Sequence, residues 1–335
     1  SRLVRNAGWQ LVQTVSATGV ELLILLAFAA RLDALEFGRL AIALSTVKIV
    51  FLLLEARIHE YLVPKFIRFQ QHRPTAAWAY SRWCRSTEMF LNVLALLGCL
   101  AVAAAASFHE FGLSPTILAA SGFYTFAGGF GKFSSLGILR CTESVRIAAI
   151  HSLVSGVGKL ATLAVGFALS LPLGLQLLTL ALPALAVSVS QVIFANAAAK
   201  VRLGPPKVLW RFGWSSGRMR QDLRLLASNY ATGLVEIAYR EADLQLVAAL
   251  SSAIEAGRYR VAKTLGMLTL EALSPLVLVM LPELSHRIHA GLGMELRRFL
   301  ARVTAVLGAM SVTAAAASLL VSWFYLTFVA PVQKE

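Results

Sequence analysis

Ionisable side chains inside otherwise apolar stretches are the residues of this sequence best suited to chemistry. An ionised side chain in mid-bilayer costs about 2.5 to 3.5 kcal/mol, so these side chains are expected to face protein or water. Five are cations that would bind an anionic group as point charges or, for the arginine, as a bidentate fork: Lys48, Lys132, Lys159, Arg240 and Lys263. Three are carboxylates that are candidates for coupling or gating: Glu21, Glu236 and Asp243.

The composition indicates the elements that carry these charges. The 335 residues are 58% hydrophobic and 14% charged, with a mean hydropathy of +0.71, which is typical of an integral membrane protein. Ala-, Leu- and Val-rich stretches of about 20 residues predict membrane-spanning helices, whereas a β-barrel would show alternating segments of about ten residues. The sequence therefore predicts an all-α membrane protein with nine crossings, at residues 9–30, 40–62, 87–107, 116–138, 147–168, 175–198, 225–250, 259–282 and 303–329.

The distribution of basic residues predicts the orientation. Most of the 31 Lys and Arg residues lie in alternate connections on one side of the membrane, which is the cytoplasmic side by the positive-inside rule. The opposite connections hold only Arg31, Arg39, Arg258 and Lys334. We therefore expect a multi-pass protein with a cytoplasmic N-terminus.

Two predicted spans carry polar stripes. Lys132 follows Tyr124 on one face of the fourth span, and Lys159 lies on a similar face of the fifth. Facing each other, these stripes would line a hydrated, cationic cavity. The alternative is that their small and polar residues join helices while the lysines reach toward the membrane surface.

A short internal repeat predicts the domain organisation. Glu36-x-Gly38-Arg39 recurs as Glu255-x-Gly257-Arg258, 219 residues later and in the same predicted topology. Six crossings separate the copies, so the repeat is parallel, with an axis along the membrane normal. It predicts two pseudo-symmetric lobes: a six-helix lobe at 1–198, a basic cytoplasmic linker at 199–224, and an incomplete lobe of three helices at 225–335. The same offset relates Arg240 to Glu21, which we expect to face each other across the cleft.

Several function classes lack their motifs. The sequence has no phosphate-binding loop and no H-E-x-x-H, and its three cysteines lack metal-site spacing, so we expect no cofactor and no metal. The short outer connections leave no room for a catalytic loop, so we expect no enzyme activity. The cations and aromatics at 63–86 and 199–224 fit interfacial helices against membrane lipids and do not require nucleic acid.

Several short motifs lie near the ends of the predicted spans: Ala30-Arg31-Leu32, Glu36-Phe37-Gly38, Asp243-Leu244-Gln245-Leu246, the segment from Glu255 to Ala262, and Leu281-Pro282-Glu283-Leu284-Ser285. In these residues the sequence resembles the polysaccharide flippases of the multidrug/oligosaccharidyl-lipid/polysaccharide superfamily. The resemblance implies alternating access in a bacterial inner membrane, with an undecaprenyl-diphosphate-linked oligosaccharide as substrate. It also implies a place in polysaccharide biosynthesis, such as O-antigen, lipopolysaccharide or exopolysaccharide export, beside a polymerase or assembly proteins.

Two alternatives stay open. A cation-coupled multidrug exporter of the same superfamily would have a cleft dominated by carboxylates, and the excess of lysine within the spans counts against it. A non-transporting scaffold or partner in envelope polysaccharide synthesis would tolerate charge reversal at Lys48, Lys132 or Lys159.

Overall fold

In this computed structural model, all regular secondary structure in the described part of the chain is helical. The described part comprises residues 2–55, 57–70, 72–108, 114–205 and 216–271, with single helical residues between 300 and 319. The predicted all-α class is confirmed. The helices are α1 (Arg2–Arg31), α2 (Ala34–Leu54), α3 (Ile58–Gln70), α4 (Pro74–Phe108), α5 (Pro115–Gly129), α6 (Lys132–Cys141), α7 (Val145–Ala168), α8 (Leu173–Leu203), α9 (Ser216–Ile237), α10 (Asp243–Leu250) and α11 (Ala253–Glu271), with a π-helical segment, Ala238–Ala242, between α9 and α10.

Five described helices are long and apolar enough to cross a membrane, judged by length and composition. They are Gly8–Arg31, Ala34–Leu54, Pro74–Ser107, Val145–Ala168 and Leu173–Leu203. Each overlaps one of the predicted crossings. The predicted crossing at 225–250 lies within the continuous run from α9 to α10. The crossing at 259–282 is described only to residue 271, the one at 303–329 lies almost wholly outside the described residues, and the predicted linker is described at its two ends.

Two predicted spans are wrong as single helices. The stretch 40–62 divides into α2 and α3, with Arg57 between them at a φ of 44°. The stretch 116–138 divides into α5 and α6, where Gly131 adopts a left-handed φ of 63°. A hydropathy pattern averages over a whole span, so it does not register a local break of one or two residues.

The two copies of the sequence repeat begin in the same way. Asp33 caps α2 by accepting a 2.7 Å hydrogen bond from the main-chain nitrogen of Glu36. Ser252, which lies 219 residues after Asp33, accepts the corresponding 3.2 Å bond from Glu255. Each pair is a capping-box sequence, in which a short polar residue precedes a glutamate by three positions. The preceding helices also end at equivalent positions, Arg31 and Leu250. The repeat therefore folds alike around both turns.

The two repeat glycines lie against each other. A Cβ on Gly38 would overlap the carbonyl oxygen of Ala253, and a Cβ on Gly257 would lie 3.1 Å from the Cα of Gly38. Because α2 and α11 approach this closely only where side chains are absent, glycine at both positions allows their first turns to cross. Close approach through small residues is the usual basis of helix association in lipid.

The remaining described helices form a bundle around α2 and α11. In it α5 packs on α8 and α4, α1 packs on α7, and α7 packs on α8. The amphipathic helix α3 packs on α4 and α6 through buried aromatic residues, including Tyr61, Phe66 and Trp78. Within the bundle, α2 packs on α4 and α5 through apolar residues that include Ala43, Val47 and Phe51.

The glycine contact makes a stability prediction. We expect Gly38→Ala to lower the free energy of unfolding by about 1 to 3 kcal/mol, because the new methyl group must displace main-chain atoms. Gly19→Ala is the matched control, since a Cβ there meets nothing within 4 Å, and it should be neutral or stabilising by up to about 1 kcal/mol. Thermal unfolding in one detergent measures both. Equal transition temperatures for the two variants would contradict the close contact.

Candidate functional site

A cavity of about 440 Å³ lies between the first seven helices and the π-helical segment. It lies beyond the glycine contact along α2, at Lys48 and Glu55. Because helix residues advance by 1.5 Å, Lys48 is about 15 Å from Gly38 along the helix axis. Eight ionisable side chains line the cavity: Glu21 from α1, Lys48 from α2, Glu55 at the end of α2, Glu88 from α4, Lys132 from α6, Lys159 from α7, and Arg240 and Glu241 from the π-helical segment.

The structure brings most of the predicted site residues together. Lys48, Lys132, Lys159 and Arg240 line this one cavity, and so does the coupling candidate Glu21. Glu21 and Arg240, which the repeat relates, therefore share the cavity. Lys263 and Asp243 pair with each other and are not among its lining residues. The side chain of Glu236 is outside the described residues.

The charge of the cavity differs from the cationic cleft that the sequence predicts. Four basic and four acidic side chains line its described walls, so their formal charges cancel. Two of the acids already accept hydrogen bonds, Glu88 from main-chain nitrogens of α6 and Glu241 from Arg260. The cavity therefore carries charges of both signs within a partly apolar lining.

Lys132 and Lys159 are the cations best placed for a ligand. Lys159 lies with its ammonium 5.0 Å from the centre of the Tyr124 ring, a cation–π distance. Lys132 is the first residue of α6, directly after the break at Gly131. Among the described residues, neither lysine has a carboxylate within the 4 Å of an ion pair. Both therefore remain available to an anionic group.

A buried ion pair connects the π-helical segment to α2 and α11. Glu241 accepts a 2.8 Å hydrogen bond from Arg260, and both side chains are buried. Lys48 approaches the other oxygen of Glu241 at 3.9 Å, and Ser45 donates a 3.2 Å bond to the Glu241 carbonyl oxygen. Because Glu241 satisfies groups from both α2 and α11, this network fixes one wall of the cavity.

A second pair explains why Lys263 does not reach the cavity. Its ammonium donates to the Asp243 carboxylate and to the Arg240 carbonyl oxygen. Tyr259 donates a 2.5 Å bond to the other Asp243 oxygen. Lys263 therefore stabilises the π-helical segment, a type of helix distortion that is frequent at functional sites.

Three lining residues were missed by reasoning from the sequence. Glu88 and Asn92 lie one turn apart near the start of the predicted span 87–107, where polar residues are ordinary. In a regular helix Glu241 would point about 100° away from Arg240, and the π-helical segment changes that geometry. The glycines Gly128, Gly129 and Gly131 are the signal in the sequence for the helix break.

The described residues contain no cluster of three or more His, Cys, Asp or Glu side chains that could hold a metal ion. The described lining of the cavity offers a bound molecule both signs of charge, three aromatic side chains and several aliphatic ones.

Comparison with known proteins identifies the fold. No protein-family model matches the sequence, and no curated protein matches it. Among solved structures, the chain is similar to a MATE multidrug transporter, DinF-BH, determined in complex with a ligand. The TM-score is 0.72 at 13% sequence identity, over 99% of this chain and 77% of the other. The fold is that of a MATE transporter.

This result concerns the fold, and it does not decide between flippase and multidrug exporter. At 13% identity the similarity shows the fold and leaves the substrate open. The MATE fold also accounts for the multi-pass, apolar character of the chain. The membrane and the side that holds the N-terminus stay predictions.

The buried pair at the cavity wall makes a second stability prediction. Glu241→Gln leaves the buried Arg260 guanidinium without its carboxylate, so we expect a loss of about 3 to 5 kcal/mol in unfolding free energy. Glu255→Gln is the matched control, because its 2.9 Å pair with Arg258 is exposed and is worth about 0 to 1 kcal/mol. Denaturation in detergent should rank them in that order. The same loss in both variants would show that Glu241 does not hold the wall.

Proposed function

We propose that this protein is a membrane transporter that works by alternating access, with its substrate in the charged cavity. One observation carries the proposal: ionisable side chains from six separate helical elements converge on one cavity within a MATE fold. Ionised groups in apolar helices are costly unless they face water, protein or a charged ligand. Their convergence is expected where a polar molecule must be held at membrane depth.

The glycine contact supports an access route from one end. Gly38 and Gly257 bring the first turns of α2 and α11 together, while the cavity extends toward the opposite end of α2, at Glu55. With the predicted orientation, the closed end is the outer one and the cavity faces the cytoplasm. Rocking of the helices would separate this contact, so that the outer end opens and the cytoplasmic end closes.

Two substrate classes follow from different observations. Multidrug export is favoured by the solved MATE neighbour, and in this chain Glu21 and Glu55 would bind an organic cation. Flipping of an undecaprenyl-diphosphate-linked oligosaccharide is favoured by the sequence resemblance. In that case Lys132 and Lys159 would bind the diphosphate, and the lipid chain would pass between helices. Multidrug export is therefore supported by the fold, and oligosaccharide flipping is supported by short sequence motifs.

Energy coupling belongs to the same proposal. Glu21 is the coupling candidate that lines the cavity, whereas Asp243 is paired with Lys263. A carboxylate that alternates between protonation, or ion binding, and contact with substrate can link transport to a gradient. The membrane potential supplies about 2.3 kcal/mol per charge for each 100 mV.

Transport assays in reconstituted vesicles separate the two substrate classes. If the substrate is the lipid-linked oligosaccharide, Lys132→Ala should slow its transfer between leaflets about tenfold, the effect of about 1.4 kcal/mol of lost binding. If the substrate is an organic cation, Glu21→Gln should reduce its export by a similar factor and Lys132→Ala should not.

The control variant is Lys200→Ala, which removes an exposed lysine at the end of α8 and away from the cavity. It should leave either activity within about twofold of the original protein. Transport of neither probe, or equal transport by all variants, would contradict the proposed cavity and leave the scaffold hypothesis.

A further inference from the structure

We infer that Glu88 and Asn92 are positioning residues for Lys132, and that they act by holding open the helix break between α5 and α6. The inference rests on the proposed function, because it treats Lys132 as a substrate-binding residue. The two side chains lie on α4, four residues and thus one turn apart, and both line the cavity.

The two side chains bind opposite ends of the break. One oxygen of Glu88 accepts a 2.8 Å hydrogen bond from the Phe133 nitrogen, and the other accepts a 2.8 Å bond from the Ser134 nitrogen. Asn92 donates a 3.2 Å bond to the carbonyl oxygen of Gly129. The first amides of α6 and a last carbonyl of α5 are groups that a helix leaves unpaired at its ends. The α4 side chains therefore replace the helical hydrogen bonds that the break removes.

The break is packed as well as hydrogen-bonded. Gly131 has a left-handed φ of 63°, and a Cβ there would lie 2.8 Å from the Met89 side chain and 2.9 Å from that of Val192. Ser135 donates a 2.6 Å bond to the Gly131 carbonyl oxygen. Irregular main chain at membrane depth is tolerated only where protein or a hydrated cavity satisfies its polar groups. Here Glu88 and Asn92 of α4 do so, and Ser188 of α8 donates a 3.4 Å bond to the carbonyl oxygen of Gly128.

The bonds that Glu88 makes to α6 also keep its carboxylate from forming an ion pair with Lys132. Both Glu88 oxygens are occupied by main-chain amides, and in the described structure Glu88 forms no ion pair with Lys132 although both line the cavity. Charge-assisted bonds to helix N-terminal amides are strong. They keep the carboxylate in place, so that Lys132 is placed by Glu88 without being neutralised through direct contact.

Cysteine labelling at two positions tests the role without measuring transport. Lys132→Cys reports on the break, and Lys159→Cys reports on the continuous helix α7 across the same cavity. The native cysteines Cys84, Cys99 and Cys141 are buried, so the unmodified protein gives the background. The probe is a water-soluble methanethiosulfonate reagent.

We expect Glu88→Gln to change the labelling rate at position 132 about tenfold, the size expected from losing one charge-assisted hydrogen bond. The rate at position 159 should stay within about twofold, because the bonds of Glu88 and Asn92 go to α5 and α6 and not to α7. Asn92→Ala is a milder variant that removes only the bond to Gly129, and it should produce the same pattern with a smaller change. Glu36→Gln removes an exposed carboxylate near the start of α2 and should alter neither rate.

An unchanged rate at 132 in both Glu88→Gln and Asn92→Ala would overturn the inference. Equal changes at 132 and 159 would also overturn it, because the variants would then disturb the whole cavity. If the labelling pattern holds but neither substrate is transported, the positioning of Lys132 stands and the proposed function fails. If transport holds, Glu88→Gln should raise KM about tenfold and leave the maximal rate within about twofold, as expected for lost substrate binding.

Discussion

The crossing of α2 and α11 at Gly38 and Gly257 is the contact on which the arrangement of the cavity depends. The main chains meet there without intervening side chains, and capping interactions at Asp33 and Ser252 begin both helices just before the contact. Lipid chains are as apolar as leucine, so helices in a bilayer associate mainly through close packing and polar bonds. The two glycines allow the close packing, and the ion pair between Glu241 and Arg260 supplies a polar bond.

The internal charges divide into those that build the walls and those that remain for a ligand. The pair of Glu241 and Arg260 binds the π-helical segment to α11, and the pair of Asp243 and Lys263 binds the first residue of α10 to the same helix. Glu88 binds the first amides of α6. Lys132, Lys159, Glu21 and Glu55 then face the cavity without an ion-pair partner among the described residues. A site with both signs of charge can bind either an anionic headgroup or an organic cation, so charge alone does not select the substrate.

Much of this could be predicted from the sequence, for identifiable reasons. Long apolar stretches predict helices because the bilayer imposes that geometry, and charges within them point to a cavity because lipid does not tolerate them. That argument alone selects five cations, and four of them line one cavity. Lys263 does not, because its partner Asp243 is 20 residues away and only the folded chain brings them together. The breaks at Arg57 and Gly131 depend on tertiary contacts that no hydropathy window contains.

Spin-label distances across the closed end test the central claim most directly. Glu36→Cys and Glu255→Cys place labels at repeat-equivalent, exposed positions in the first turns of α2 and α11. The distance between the two labels is measured by pulsed electron–electron double resonance in lipid nanodiscs. Alternating access predicts two populations of molecules, one with a short distance for the closed end and one with a longer distance for the open end. The ratio of the two populations should shift when the transported substrate is added. A single short distance under every condition would contradict a transporter that opens at this contact.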